Sequence, residues 1–381
     1  MNTVQQLAKL GQSVWYDTIS REIIRGGELR KHVDEGLLGV TSNPTIFDKA
    51  ISSSADYDDQ IREILSDRLG ISTAEIIQSL MVTDIQMACD VLKPAFERTE
   101  GLDGYVSVEV APGKAHDTKA TIDEVRLLWT RINRKNLMVK IPATKEGLPA
   151  IEQSTAEGMN INVTLIFAIE RYREVAQAYI AGLEKRLLSG KPIAHVRSVA
   201  SVFVSRIDTL VDDLLNKKIA AAAGPAADRL RRLLGKGAVA NTKMIYQAFK
   251  EIFGSQQFNV LQAKGGTVQR PLWGSTGTKN PAYSDLLYVE TLIGAHTVNT
   301  IPPATYNAFL DHGHPALTIE SNLDEAKSVL RDLAAAGIDI QWVTKKLEDD
   351  GVATFEKSFD GLYKNLEAKR KEFASAVRPR S

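Results

Sequence analysis

The sequence predicts an α/β protein built as a single (β/α)8 TIM barrel, with extra helices between strands and at the C-terminus. Three observations carry that reading. Short strand-like runs alternate with longer amphipathic ones from end to end, the pattern of parallel strands joined by helices. The strand-like runs number eight. Polar residues close nearly all of them, as expected where chemistry collects at the C-terminal ends of barrel strands. A doubly wound open sheet is the competing architecture, but no G-x-G-x-x-G turn follows a strand and opens a helix.

The strands are expected at 13–17, 37–41, 105–110, 137–142, 161–166, 196–203, 269–274 and 296–301. Strand one ends in Asp17, strand two in Thr41-Ser42-Asn43, strand three in Glu109 and strand four in Lys140. Strand five carries Asn162 and Thr164, strand six Ser201 and then Arg206, and strand seven runs into Ser275 and Lys279. A helical insertion is expected at 48–100, where Ser72-Thr73-Ala74-Glu75 forms a capping-box pattern ahead of Ile76 and Ile77. A second, at 207–262, divides into 207–217, 220–234 interrupted at Gly224-Pro225, and 240–253, with a short apposed strand expected at Phe258-Asn259-Val260-Leu261-Gln262. The alanine-rich stretch from Ala220 has helix-forming composition, which argues for a packed insertion over a domain boundary. Amphipathic runs at 324–335 and 356–376 should cover the barrel, and Arg378-Pro379-Arg380-Ser381 reads as disordered. The whole of 1–381 is expected to be one domain.

Composition narrows the partners. With 44% hydrophobic and 25% charged residues over 381 positions, the chain is ordinary globular material that buries a sizeable core. Its 47 basic and 47 acidic residues cancel, so no overall field draws nucleic acid or an anionic membrane, and affinity for a charged ligand must come from a local cluster. Small molecules are the expected partners. The single cysteine, Cys89, excludes an internal disulfide framework and reads as a small core residue. His312 and His314 flank Gly313, but no third ligand stands at a matching spacing, so a polar loop is the simpler reading and no metal is expected. The first ten residues have no cationic region ahead of an apolar run, and no stretch of about eighteen apolar residues occurs, so a cytoplasmic location is expected.

Lys140 is the focal residue. Leu137, Met138 and Val139 read as a strand buried on both faces and Ile141 continues it, so Lys140 should point into the barrel. Burial favours the neutral amine, which can attack a carbonyl. A lysine at a strand end, a carboxylate on the neighbouring strand and a second carboxylate across the barrel are what Schiff-base chemistry needs. Glu109, through a water held by Thr164, would serve carbinolamine formation and dehydration, and Asp17 would take a proton from a substrate hydroxyl during carbon-carbon cleavage. Asn43, Asn162 and Ser201 would hold hydroxyls, and Arg206 with Lys279 would clamp a phosphate. Each has a plainer alternative: Lys140 snorkelling to solvent, Asp17 capping the next helix, Arg206 pairing with Asp208 at an exposed helix start, Lys279 lying in a loop. Thr45, Lys114 and Lys145 read as turn and solvated-face residues.

Five motifs in order, Gly39-Val40-Thr41-Ser42-Asn43-Pro44-Thr45-Ile46-Phe47, Val106-Ser107-Val108-Glu109-Val110, Leu137-Met138-Val139-Lys140-Ile141-Pro142-Ala143-Thr144, Ile161-Asn162-Val163-Thr164-Leu165-Ile166-Phe167 and Ser201-Val202-Phe203-Val204-Ser205-Arg206, together resemble the transaldolase family. The long insertions are similar to its bacterial branch rather than to the short fructose-6-phosphate aldolase-like branch. The resemblance implies a Schiff base on Lys140, a catalytic water held by Glu109 and Thr164, and Asp17 as acid/base at the cleaved bond. It further implies substrate contacts from Thr41, Asn43, Asn162 and Ser201, Phe203 as a pocket wall, and Arg206 as the main phosphate ligand. The family's second phosphate ligand is usually an arginine in a Gly-Ala-Ser-x-Arg context. Here Gly274-Ser275-Thr276-Gly277-Thr278-Lys279 stands instead, so Ser275 and Lys279 take that place. The implied reaction moves a dihydroxyacetone unit from sedoheptulose 7-phosphate to glyceraldehyde 3-phosphate in the non-oxidative pentose phosphate pathway, with phosphorylated sugars as partners and no cofactor. Hydrolytic release of dihydroxyacetone, and a silent barrel acting as a scaffold, are the alternatives. Monomer and homodimer both remain open.

Overall fold

A computed structural model describes residues 1–68 and 70–377, with the backbone alone at 375–377. Eight strands form a closed, all-parallel barrel in sequence order. They are β1 (Gln12–Tyr16), β2 (Gly39–Val40), β3 (Tyr105–Glu109), β4 (Leu137–Pro142), β5 (Ile161–Ile166), β6 (Ser198–Phe203), β7 (Arg270–Gly274) and β8 (Thr297–Ile301). Every strand residue is buried, because the barrel interior covers one face and the helices cover the other. The expected strands all form, with ends trimmed by one or more residues at most of them. Only β2 is much shorter than its sequence run.

Gly39 explains what β2 must accommodate. A Cβ there would lie 2.4 Å from the indole of Trp15, which is fully buried inside β1. Trp15 Nε1 donates to Asp103 Oδ1 at 3.1 Å, and Asp103 also accepts from Ser13 at 2.7 Å and from Arg270 Nη2 at 2.8 Å. Since Arg270 opens β7 and Ser13 is the second residue of β1, this network plugs the N-terminal end of the barrel and leaves the opposite end for a site.

The insertions are helical, as expected, with corrected edges. The first holds Pro44–Ser52, Asp58–Asp67 and Thr73–Arg98, and Ser72 and Glu75 form the capping box. The second holds Ser205–Ala220, Gly224–Arg231, Gly237–Phe253 and Gln256–Gln262. Gly224-Pro225 starts a helix instead of interrupting one, since proline is tolerated in a first turn where its missing N–H is not needed. The strand expected at 258–262 is a helix: Ser255 caps it through the Phe258 amide at 3.3 Å, and Phe258 and Leu261, three apart, are its buried residues. The last helix begins at Ile340, not at 356, and runs unbroken to Val377. Gly351, inside it, sits where a Cβ would come within 2.8 Å of Leu165, so it lets the helix lie close on β5. The segment 378–381, expected to be disordered, lies outside the described residues.

Replacing Gly39 with valine forces its side chain into the Trp15 ring, and overpacking of this kind costs about 2–3 kcal/mol. Chemical denaturation of Gly39→Val should show that loss, and an unchanged midpoint would mean that Trp15 can move aside.

Candidate active site

Strand register places the reactive groups. Glu109 on β3 pairs laterally with Lys140 on β4, Lys140 with Asn162 on β5, and Pro142 with Thr164. Lys140 is 4% exposed and Glu109 5%. Lys140 therefore does not snorkel; its Nζ stands 3.4 Å from Glu109 Oε2 and donates to the Ser42 carbonyl at 3.1 Å. Among the described residues nothing hydrogen-bonds Glu109 Oε2 or Thr164 Oγ1, both buried. Buried polar atoms of this kind normally take a partner.

A cavity of about 270 Å³ opens at this end of the barrel, and Asp17, Thr41, Asn43, Lys140, Ser201, Phe203, Arg206, Ser275 and Lys279 all line it. Nine of the twelve expected site residues thus meet in one space. Glu109 borders it through Lys140, and Asn162 lies just beneath, accepting from Ser201 at 2.7 Å and donating to Ser107 at 3.0 Å. Thr164 stays in the barrel wall beside Pro142. A second cavity, of about 280 Å³, shares Asn43 and Glu109 but is walled largely by apolar groups such as Phe47, Met81 and Phe359.

Asp17 does not cap the following helix; Ser20 does, through the Ile23 amide at 3.3 Å. Asp17 instead accepts from the Thr41 hydroxyl at 2.8 Å, and Thr41 lies 2.5 Å from Thr300. With the Thr41 proton committed to Asp17, Thr300 is the donor in that second bond. Burial pushes the Asp17 carboxyl up; Lys140, the Thr41 bond, Arg206 and Lys279 oppose it without cancelling it. Glu109 is also pushed up by burial, against Lys140 and Arg206. Both acids are thereby moved toward the range where they can exchange protons.

The far end of the cavity is cationic. Arg206, second residue of the helix Ser205–Ala220, rests over the Phe203 ring at 5.0 Å, and burial lowers its pKa against the pull of Asp17 and Glu109. No carboxylate among the described residues pairs with Arg206 or with Lys279. Asp208 does not pair with Arg206, being bonded elsewhere. Ser275 takes a left-handed φ of 55° just after β7, and its hydroxyl meets that of Ser205 at 3.0 Å. Asn43 has two tasks: its Oδ1 caps the helix Pro44–Ser52 through the Ile46 amide at 2.9 Å, which leaves its amide nitrogen for the cavity.

Sequence reading missed Thr45, Thr300, Thr354 and Phe355, all on the cavity wall. Thr300 was detectable as a polar residue near the end of strand eight, like its counterparts on the other strands. Thr354 and Phe355 belong to the last helix, which reaches the mouth and joins Thr45 through Ser358 at 2.8 Å; no local pattern announces that. Lys114 pairs with Glu124 at 3.0 Å, and His312 with Asp285 and Asp311 on the surface. Among the described residues no group of three or more His, Cys, Asp and Glu side chains is placed to hold a metal ion, and no helix is long and apolar enough to cross a membrane.

Comparison with known proteins gives a consistent result. The family model described as Transaldolase/Fructose-6-phosphate aldolase matches residues 14–366. A curated relative named Transaldolase 2, from Nostoc sp., is 46% identical over 376 residues, covering 97% of this chain and 98% of its own. The Transaldolase of Thiobacillus denitrificans is 44% identical, covering 95% of this chain and 99% of its own, and that of Mycobacterium bovis is 44% identical, covering 95% of each.

Two unpaired cations lining one cavity should bind inorganic phosphate. Saturating phosphate is expected to raise the melting midpoint by about 2 °C. Arg206→Ala should abolish the shift, and an equal shift in that variant would place the anion elsewhere.

Proposed function

The chain belongs to the transaldolase/fructose-6-phosphate aldolase family, and from that premise we propose that Lys140 forms the Schiff base through which it works as a transaldolase. The reaction is the reversible transfer of a dihydroxyacetone unit from sedoheptulose 7-phosphate to glyceraldehyde 3-phosphate, giving erythrose 4-phosphate and fructose 6-phosphate in the non-oxidative pentose phosphate pathway. The observation that supports it most is the buried Lys140, 3.4 Å from Glu109 and lining the same cavity as Asp17.

The steps follow from the side chains. A proton passes from Lys140 to Glu109, whose burial already favours the neutral acid. The freed amine attacks the substrate carbonyl carbon, and Glu109, through a water shared with Thr164, returns the proton as water leaves and the imine forms. Asp17 then takes the proton of the C4 hydroxyl as the C3–C4 bond breaks. The bond's electrons move into the protonated imine, giving an enamine on Lys140, and the aldehyde departs. Acceptor aldehyde enters, the enamine carbon attacks it, Asp17 gives its proton back, and water releases the product. Thr41, Asn43, Asn162 and Ser201 hold the hydroxyl-bearing carbons in place, Phe203 forms the wall, and Arg206 with Ser275 and Lys279 holds the phosphate. The same reading makes 1–381 one domain and its location the cytoplasm. Every side chain it uses comes from one copy of the chain, so a monomer suffices and a homodimer is compatible.

Borohydride reduction in the presence of fructose 6-phosphate, followed by peptide mass spectrometry, tests it. A three-carbon adduct on Lys140 is expected, and no adduct on any lysine of the folded protein would end the proposal. Adding an aldehyde acceptor then separates transfer from release of free dihydroxyacetone. Asp17→Asn should trap the uncleaved six-carbon sugar phosphate, while Glu109→Gln should slow imine formation by about 10²–10³-fold.

The pH dependence has a fixed sign. Asp17 must be ionised to act as base, so activity falls as pH drops through its raised pKa. Thr41→Val removes a hydrogen bond that lowers that pKa, and the acid limb of kcat/KM should therefore move to higher pH. A shift to lower pH, or none, would count against Asp17 as the base.

A further inference from the structure

Arg206 and Lys279 come from different connections, so their spacing depends on what fastens the two segments together. Lys279 lies in 275–286, between β7 and the helix Leu287–Glu290. There the Thr278 hydroxyl donates to the Ser284 carbonyl at 2.8 Å and the Tyr283 amide to the Asn280 carbonyl at 3.1 Å. The turn is closed on itself, with Lys279 on its exposed edge.

Tyr283 in this segment and Tyr288 in the helix Leu287–Glu290 that follows it fasten it to the helix that carries Arg206. Tyr283 donates to Asp212 Oδ2 at 2.6 Å, and Tyr288 donates to Asp208 Oδ2 at 2.9 Å. Asp208 and Asp212 are one turn apart on one face of the helix Ser205–Ala220, whose second residue is Arg206. Their remaining oxygens are also engaged: Asp208 Oδ1 accepts from the Ala238 amide at 2.7 Å and Asp212 Oδ1 from the Gly235 amide at 2.9 Å. Each carboxylate is therefore gripped from two sides and cannot swing away from its tyrosine. Gly235, at φ +68°, completes the seat, because a Cβ there would lie 2.7 Å from the Tyr283 ring. Burial, with help from Asp212, pushes the Asp208 carboxyl up to about 6, and the Ala238 and Tyr288 donors work against that by favouring the charged form.

These contacts occur where a phosphate site would be weakest. An ammonium on a flexible four-carbon stem binds phosphate as a point charge and supplies none of the bidentate geometry of a guanidinium. The position of Lys279 relative to Arg206 then rests on the loop, and the loop rests on the two tyrosine–aspartate bridges. We propose that Tyr283 and Tyr288, anchored on Asp212 and Asp208, are positioning residues that set the spacing of Arg206 and Lys279 and with it the preference for phosphorylated sugars. The proposal rests on the transaldolase reading above.

Tyr283→Phe keeps the ring on Gly235 and removes only the hydroxyl. The KM for fructose 6-phosphate should rise about five- to tenfold. Its kcat should stay within about twofold, and kcat/KM for unphosphorylated fructose should not change. Inorganic phosphate, followed by thermal shift without turnover, should bind more weakly by the same factor as the KM. Equal losses on both sugars, or a lower melting midpoint with unchanged KM and unchanged phosphate affinity, would overturn the proposal and leave the bridges merely structural. Tyr288→Phe, at the buried bridge, should give the same split; if it fails to fold, Tyr283→Phe decides. Lys140 trapping in the wild-type protein is run alongside. If trapping fails, the function falls while the phosphate comparison still reads the bridges; if trapping succeeds and the split is absent, only the positioning role falls.

Discussion

The buried pair Lys140 and Glu109 is the constraint on which the site depends. Taking two opposite charges out of water costs several kcal/mol per ion after relaxation, and their mutual attraction offsets this only when geometry and further hydrogen bonds are good. Here they are only partly so: Nζ to Oε2 is 3.4 Å, one carbonyl completes the lysine, and burial still lifts the carboxyl despite the lysine beside it. A pair that is compensated this incompletely is ready to exchange its proton, which a tightly satisfied structural bridge is not. The parallel register makes it available, since Glu109 and Lys140 are lateral neighbours on β3 and β4, pointing into the same interior.

That register also explains why so much could be read without coordinates. Barrel strands present their polar groups at their C-terminal ends, so Asp17, Lys140 and Ser201 could be placed in one space, with Glu109 and Asn162 against it, from their positions in apolar runs. Alternatives for single residues needed the structure. Asp17 as a cap and Arg206 as half of an exposed pair are locally reasonable, and only the three-dimensional partners, Thr41 for the first and the Phe203 ring for the second, remove them.

What escaped the sequence is whatever depends on distant segments meeting. The last helix could not be followed back to Ile340 because glycine inside a helical run normally argues for a break. Its tolerance at Gly351 comes from Leu165, nearly two hundred residues earlier, which takes a left-handed φ of 61° where the β5–β6 register shifts. Through that close approach the helix brings Thr354 and Phe355 to the cavity mouth. The stretch 258–262 failed for a different reason: five residues with apolar ones near both ends fit strand and helix equally, and the cap from Ser255 breaks the tie.

The charges divide the cavity into two halves with different logic. At the barrel floor each ionised group already has a partner within the protein, Lys140 with Glu109 and Asp17 with Thr41, so the field there is spent on shifting protons between fixed groups. At the mouth, no carboxylate among the described residues forms an ion pair with Arg206 or Lys279, although Asp208 and Asp212 stand on the very helix that begins with Ser205 and Arg206. Those aspartates are held away from the cavity, occupied by tyrosine hydroxyls and backbone amides. The result is a local positive site in a chain whose formal charge is +0. On the proposed reading, a doubly charged phosphate would be drawn there by the withholding of nearby counter-charges, not by an excess of basic residues, and a substrate anchored at that end would present its carbonyl to Lys140 at the other.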